Sequence, residues 1–285
     1  MKSPIALPAI CLALLLLLSP SYAETPENFQ RENLIAWCIV PFDAKQRGPE
    51  ARTEMLVDLG LKRVAYDWRQ EHVAEFATEF QQYQAHDIEL FAFWRDHPSV
   101  YPLFTEYELQ PQIWSTVPSP AAETQEAKVK QAADKLMGIA QNAQKAGLKF
   151  GLYNHGNWGG QPTNMIAVCE EMRQRGLENV GIVYNFHHAH FDRAEFLEHF
   201  DTLKPYLHCL NLNGMKDPDK VDVKDIHNKI CPIGSGEHEQ AMIAKVLESG
   251  YTGPIGILGH LKDRDVKVVL EENLAGLEKV LADLQ

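Results

Sequence analysis

The sequence predicts an α/β fold, a single (β/α)8 TIM barrel behind an N-terminal signal peptide. Three observations carry that expectation. Eight apolar runs of strand length alternate with longer segments whose apolar residues recur at spacings of three and four. Several of these segments stop at glycine, at Gly60, Gly147, Gly176 and Gly250, where a helix would reverse into the next strand. About 262 residues follow the leader, a length that α/β barrels reach as one domain.

The leader is residues 1–23. Lys2 opens it, "IALPAICLALLLLL" is an apolar core short for a membrane span, and Ser21 and Ala23 are the small residues of a cleavage site near Ala23. The mature protein is expected to be periplasmic or secreted. Cys11 follows "PAI", a poor match to a lipoprotein processing site, and no later apolar run approaches the length of a membrane span.

Residues 24–32 form an N-terminal extension, and residues 33–285 the barrel. The expected strands are "LIAWCIV" (34–40), "RVAYDW" (63–68), "IELFAFW" (88–94), "KFGLYN" (149–154), "VGIVYN" (180–185), "LHCLNLN" (207–213), "KICPIG" (229–234) and "PIGIL" (254–258). Seven amphipathic segments between and after them read as helices, whereas "MKDPDKVDVKDIHN" is too polar for a full one. Residues 95–120 carry four prolines and several aromatics without a period. They are expected to form a loop over the barrel mouth, with a packed surface excursion as the alternative.

Charge narrows the partners. Lys2 is the leader's only charge, so the mature chain sets 26 basic against 39 acidic side chains, a balance of −13. That balance repels nucleic acid and anionic lipid and favours a neutral or small-molecule partner. Cys38, Cys169, Cys209 and Cys231 survive processing; they read as buried thiols, with Cys209–Cys231 the one bridge worth testing.

In such a barrel the chemistry gathers at the C-terminal ends of strands and in the loops after them. Those positions hold Asp67, Trp68, Trp94, Arg95, Tyr153, Asn154, His155, Asn185, His187, His188, His190, Asn211, Asn213, Glu237, His238 and His260. Amides and imidazoles satisfy hydroxyls in both directions, and aromatic faces stack on sugar C–H surfaces. Trp37, Trp68, Trp94 and Trp158 divide into two that wall a sugar site and two that belong to the core. Asp67 lies two residues before Arg69, and an ion pair between them is the structural alternative to a catalytic role.

These strand ends resemble a family. "CPIGSGEHEQAMIAKVLESGYTGPIGIL" (231–258) is similar to the G-x-G turn, helix and "GYxGP" approach to the last strand in the xylose isomerase-like barrels of sugar isomerases and epimerases. "GLYNH" (151–155) and "NFHHAH" (185–190) resemble two further strand ends of that family. The resemblance implies a divalent metal held by Glu after strand four, Asp after strand five, His after strand six and Glu after strand eight. Here Tyr153, Asn185, Asn211 and Leu258 occupy those positions.

The expected protein is therefore a sugar isomerase- or epimerase-like enzyme without a metal or other cofactor, working by proton abstraction next to a carbonyl or by β-elimination from an oxidised glycoside. His155 and His188 are its candidate catalytic pair; Asn154, Asn185, Asn211, Asn213, Arg95, Trp94, Trp68, Glu237 and His260 are its candidate substrate contacts. Two alternatives stand beside it. One is a divalent metal in a rebuilt site of His155, His188, His260 and Glu237; the other is a non-catalytic sugar-binding protein.

Overall fold

The computed structural model describes residues 25–285, so the leader lies outside the described residues. Eight parallel strands close in sequence order: β1 (Ile35–Trp37), β2 (Arg63–Tyr66), β3 (Glu89–Trp94), β4 (Gln112–Thr116), β5 (Phe150–Tyr153), β6 (Val180–Asn185), β7 (Leu207–Leu212) and β8 (Ile255–Leu258), with β8 pairing back to β1. Around them run α1 (Pro49–Asp58), α2 (Phe76–Ala85), α3 (Val100–Glu106), α4 (Gln125–Lys145), α5 (Pro162–Gln174), α6 (Arg193–Leu203), α7 (Ile226–Lys229), α8 (Glu239–Glu248) and α9 (Val266–Asp283). The extension before β1 forms two short 3-10 turns and buries Phe29.

The strand count of eight is right through two errors that offset each other. "KICPIG" is not a strand: α7 takes Lys229, Pro232 lacks a backbone donor, and only Cys231 pairs, in an isolated antiparallel bridge to Gly214. Residues 95–120 are not a loop over the mouth but an αβ unit, α3 followed by β4. Pro102 is harmless because it falls in the first turn of α3, where the backbone N–H has no intrahelical acceptor. "QIWST" then enters the barrel with Ile113 and Trp114 fully buried.

Side chains alternate across each strand. Ile35, Trp37, Ala65, Trp114, Val183 and Cys209 fill the barrel interior, while Ala36, Val64, Tyr66, Ile182 and Tyr184 pack under the helices. The interior is crowded, and glycine relieves it where large groups cross. A Cβ at Gly151 would lie 2.6 Å from the Trp114 ring, and one at Gly256 would lie 1.9 Å from Asn211 Oδ1. All four cysteines among the described residues are buried free thiols, so Cys209 and Cys231 do not pair. No helix among those residues is long and apolar enough to cross a membrane.

Outside the barrel, α1 and α2 are joined by a buried ion pair. Arg52 binds Glu79, whose other oxygen accepts from the Tyr83 hydroxyl, and none of the three is accessible beyond 2%. Such a pair is costly to form and costlier to break, since removing one partner strands the other charge. Replacing Glu79 alone with Leu is therefore expected to cost about 3–5 kcal/mol in urea unfolding. The double variant Arg52→Met, Glu79→Leu should recover most of that loss; equal destabilisation by single and double variants would refute the account.

Candidate functional site

The period of two delivers the site. Inward positions run on past the interior layer to the C-terminal ends: Ala65 is followed by Asp67, Val183 by Asn185, and Cys209 by Asn211. Above them a small cavity of about 90 Å³ opens at the mouth, lined by Trp37, Cys38, Phe42, Asp67, Arg69, Trp94, Tyr153, His155, His187, His188 and His260.

Next to this lining, a ladder of carboxamides ties the ends of β5, β6 and β7 together. Asn154 Oδ1 accepts from both the backbone N–H and the side-chain amide of Asn185, each at 2.7 Å, and Asn185 Oδ1 accepts from the Asn211 amide at 2.7 Å. Asn154 donates in turn to the Asn185 carbonyl at 3.1 Å. All three are essentially inaccessible. The ladder satisfies its buried amides internally, as burial demands.

One wall is aromatic. Trp37 meets Trp94 at 5.7 Å between centroids and donates its indole N–H to the Tyr153 hydroxyl at 3.1 Å; Trp94 meets Tyr153 at 4.6 Å. Trp114 supports Trp37 edge-on from within the core, at 5.0 Å. Trp68 and Trp158 are not part of this wall: Trp68 packs on Phe76, Phe93 and His97, and Trp158 donates to Gln125.

The opposite wall is imidazole. His155 lies 4.1 Å from His188 between ring centroids, His187 lies 3.7 Å from His188, and His260 stacks on Phe42 at 3.5 Å. Burial holds them neutral, aided by the neighbouring cations. His187 and His188 are driven well below the usual histidine range, His260 is driven down to about 3, and His155, the most exposed of the four, is lowered too. The Lys229 amine approaches His188 Nδ1 at 3.4 Å and is itself lowered by burial.

Asp67 stands apart from these. It is 2% exposed; one oxygen accepts from the Val40 backbone at 3.3 Å, and the other has no partner. Burial pushes its carboxyl up to about 7 against the pull of Arg69. No ion pair forms between them among the described residues, since Arg69 instead lies over the Phe42 ring. The backbone around the pocket is also tense: Cys38 and Arg95, directly after β1 and β3, both hold left-handed conformations, at φ 57° and 60°.

The structure thus gathers His155, His188, His260 and Trp94 at the pocket and leaves Arg95 exposed beside Trp94. It holds Asn154, Asn185 and Asn211 in a buried ladder outside the pocket lining, so these amides are not the substrate contacts that the sequence predicts. Glu237 is elsewhere, bound to Lys220 and the Asp217 backbone, and Asn213 donates to the Gly214 carbonyl. The set His155, His188, His260 and Glu237 is therefore not assembled. Among the described residues no three His, Cys, Asp or Glu side chains are grouped to hold a metal ion. Sequence reasoning passed over Phe42 and Lys229, read Cys38 as a buried thiol and Arg69 as a possible ion-pair partner, and left Asp67 between a candidate acid and that ion pair.

A closed barrel of eight parallel strands in sequence order, with polar residues gathered at the C-terminal face, defines a TIM barrel. The chain belongs to the xylose isomerase-like TIM barrel family, whose model matches residues 61–279. A search of curated proteins finds no match. Solved structures are similar in fold. A D-tagatose 3-epimerase-like protein shares 14% identity, with 88% of this chain and 98% of that one covered at a TM-score of 0.63. The probable 3-DHS dehydratase AsbF from Bacillus anthracis shares 12%, with coverages of 86% and 98% and a TM-score of 0.67. An L-ribulose 3-epimerase shares 10%, with coverages of 87% and 95% and a TM-score of 0.64.

The imidazoles make stability pH-dependent, and the sign follows from the direction of their shifts. Histidines with folded pKa values below the usual 6.5 contribute stability that is present above pH 6.5 and is lost as pH falls toward the depressed values, about 4 for His190 and about 3 for His260. Asp67 runs the other way. Raised from 3.8 to about 7, it contributes stability present below pH 3.8 and lost as pH rises through 7. Neither ring nitrogen of His187 has a partner, so His187→Phe should flatten the fall in melting temperature between pH 6.5 and 4. Asp67→Asn should raise the melting temperature more at pH 8 than at pH 5. Parallel pH profiles for the wild type and both variants would refute this assignment.

Proposed function

We propose that this barrel is an exported enzyme that isomerises, epimerises or eliminates across a non-phosphorylated carbohydrate by side-chain acid/base chemistry. The observation that carries the reading is the pairing, in one pocket, of neutral imidazoles with a buried carboxyl whose free oxygen titrates near 7. A base kept unprotonated and an acid kept protonated are the two partners that proton transfer at a sugar carbon needs. The Trp37, Trp94 and Tyr153 wall supports it by offering faces for a sugar ring.

The divalent ion that the family resemblance implies does not fit the residues present. The strand ends that resemble the family's ligand-bearing ones, fourth, fifth and sixth in the expected count, are those of β5, β6 and β7 once β4 is counted. With β8 they carry Tyr153, Asn185, Asn211 and Leu258, a phenol, two carboxamides and an aliphatic side chain. The carboxamide oxygen of Asn185 is consumed by Asn211, and that of Asn211 has the Cys209 thiol at 3.5 Å. A hard cation wants several oxygens with net negative charge, and the set supplies none. We read these positions as replacements of the metal ligands.

In the chemistry we propose, His155 or His188 removes a proton from the carbon beside a carbonyl. Lys229 at 3.4 Å disfavours protonation of His188 beforehand and so keeps it a base. Protonated Asp67 donates to the carbonyl oxygen, or to the departing hydroxyl in an elimination, so the proton taken up by the base is matched by one delivered to oxygen. Asn154 and Asn185 fix the strand ends that carry these groups.

The wild type is expected to incorporate solvent deuterium into a reducing or oxidised sugar in D2O, read by proton NMR across a panel of sugars. His188→Ala and Asp67→Asn should each lower that exchange by about 10²–10⁴-fold. The rate should fall in acid as the imidazole base protonates and in alkali as Asp67 loses its proton near 7, with Asp67→Asn removing the alkaline limb. Sugar binding without exchange or turnover in the wild type would instead make the protein a non-catalytic sugar binder.

A further inference from the structure

The described residues hold ten arginines, and eight of them meet a carboxylate within 4.0 Å: Arg31, Arg47, Arg52, Arg63, Arg173, Arg175, Arg193 and Arg264. The two that do not are Arg69 and Arg95. Both stand just past strand ends on the same side of the mouth, after β2 and β3. Arg69 lines the pocket beneath and Arg95 flanks its Trp94 wall, 6.0 Å from the ring centroid.

Two lysines repeat the pattern. Lys229 is half-buried, with only an imidazole nitrogen as side-chain partner, and the exposed Lys262 lies over the Phe42 ring at 5.6 Å. Neither has a carboxylate partner among the described residues. The one acid in the pocket lining is Asp67, which burial drives toward its neutral form. Acids on neighbouring loops are engaged elsewhere: Asp96 with Tyr101 and Asn142, Glu237 with Lys220, and Asp263 with His227.

A cation held out of water without a counter-charge is costly, and a chain with 39 acidic side chains has ample means to pair one. Arg69 lines the opening, and Lys229, Lys262 and Arg95 lie against its lining residues His188, Phe42 and Trp94. On a protein of net charge −12 these four cations, Arg95 and Lys262 among them exposed, make a local positive field in an otherwise negative surface. Guanidinium groups present a planar fork of donors that matches an oxyanion, and charge-assisted bonds of that kind orient a ligand as well as attract it.

We propose that the mouth selects an anionic carbohydrate, one bearing a carboxylate or a sulfate ester, with Arg69 and Arg95 binding the charged group and Lys229 and Lys262 adding to the field. This rests on the reading of the mouth as a carbohydrate site and adds the substrate's charge. The acid group sits toward the β2 and β3 rim, so the reacting carbon is presented to His155 and His188 across the pocket. Neutral sugars of the same stereochemistry lack the group that the rim holds.

The test is calorimetric titration of the full mature chain with matched pairs: glucose and glucuronate, galactose and galacturonate, mannose and mannuronate, and glucose 6-sulfate beside glucose. At least one acidic member is expected to bind about tenfold or more tightly than its neutral partner, with the advantage shrinking as salt rises. Arg69→Gln and Arg95→Gln should each erase most of that advantage, bringing the ratio of acidic to neutral affinity toward one. The sulfate arm against the uronate arms decides which oxyanion the rim reads. If neutral and acidic partners bind alike, or both arginine variants leave the preference intact, the charge selection is wrong and the carbohydrate reading survives. If no sugar of either kind binds, or inorganic sulfate alone does, both fall.

Discussion

Buried amides must find partners, and beside this mouth they find one another. Asn154, Asn185 and Asn211 project from neighbouring strand ends out of reach of solvent, and each carboxamide turns to meet the next. That choice fixes much of what surrounds it. Gly256 has to be glycine because Asn211 Oδ1 takes the space of its side chain. The backbone of Asn185 is held by Asn154, which sets where the following turn places His187 and His188. A ladder of neutral dipoles also adds no formal charge, so the mouth's charge comes from its walls and rim.

Desolvation then governs those walls. The aromatic side and the packed imidazoles exclude water, and the same exclusion pushes titration in opposite directions for bases and acids. Histidines lose their protons and Asp67 keeps its own, for one reason: each gives up the charged form it cannot hydrate. Two kinds of group that would sit far apart on a titration scale in water are thereby brought to neutral forms together. A neutral base facing a neutral acid can exchange roles with a substrate at little cost in charge separation, which in a water-poor pocket is the expensive part of proton transfer.

Much of the fold was legible because barrel strands advertise themselves by apolar runs and glycine stops. "VGIVYN" is buried at all six positions, and Gly60, Gly147, Gly176 and Gly250 all adopt positive φ at helix ends. What was not legible was "QIWST", too short and too mixed to outweigh the prolines before it. "KICPIG" failed for the converse reason: its composition is that of a strand, but its position beside Gly214 left nothing to pair with except one bridge. Of the site, the inward phase of β2 was readable, since Asp67 follows Ala65 by two residues. The lack of an ion pair with Arg69 was not readable, because adjacency in sequence says nothing of where a guanidinium turns. Lys229 was hidden inside the false strand, and its meeting with His188 depends on a loop path that no local pattern encodes.

The unpaired cations and the neutral imidazoles are two consequences of the same arrangement. Arg69, Lys229 and Lys262 all help to keep His260 unprotonated, and Arg95 and Lys229 do the same for His155. An anion arriving at the rim would offset that field. It would lift the depressed histidines toward the range in which an imidazole can accept a proton from carbon, and by offsetting the pull of Arg69 it would also help Asp67 keep its proton. On the reading advanced for this mouth, the substrate's own charge completes the base that acts on it. A neutral sugar in the same pocket would meet imidazoles still held far below working pH, too weak as bases to take its proton.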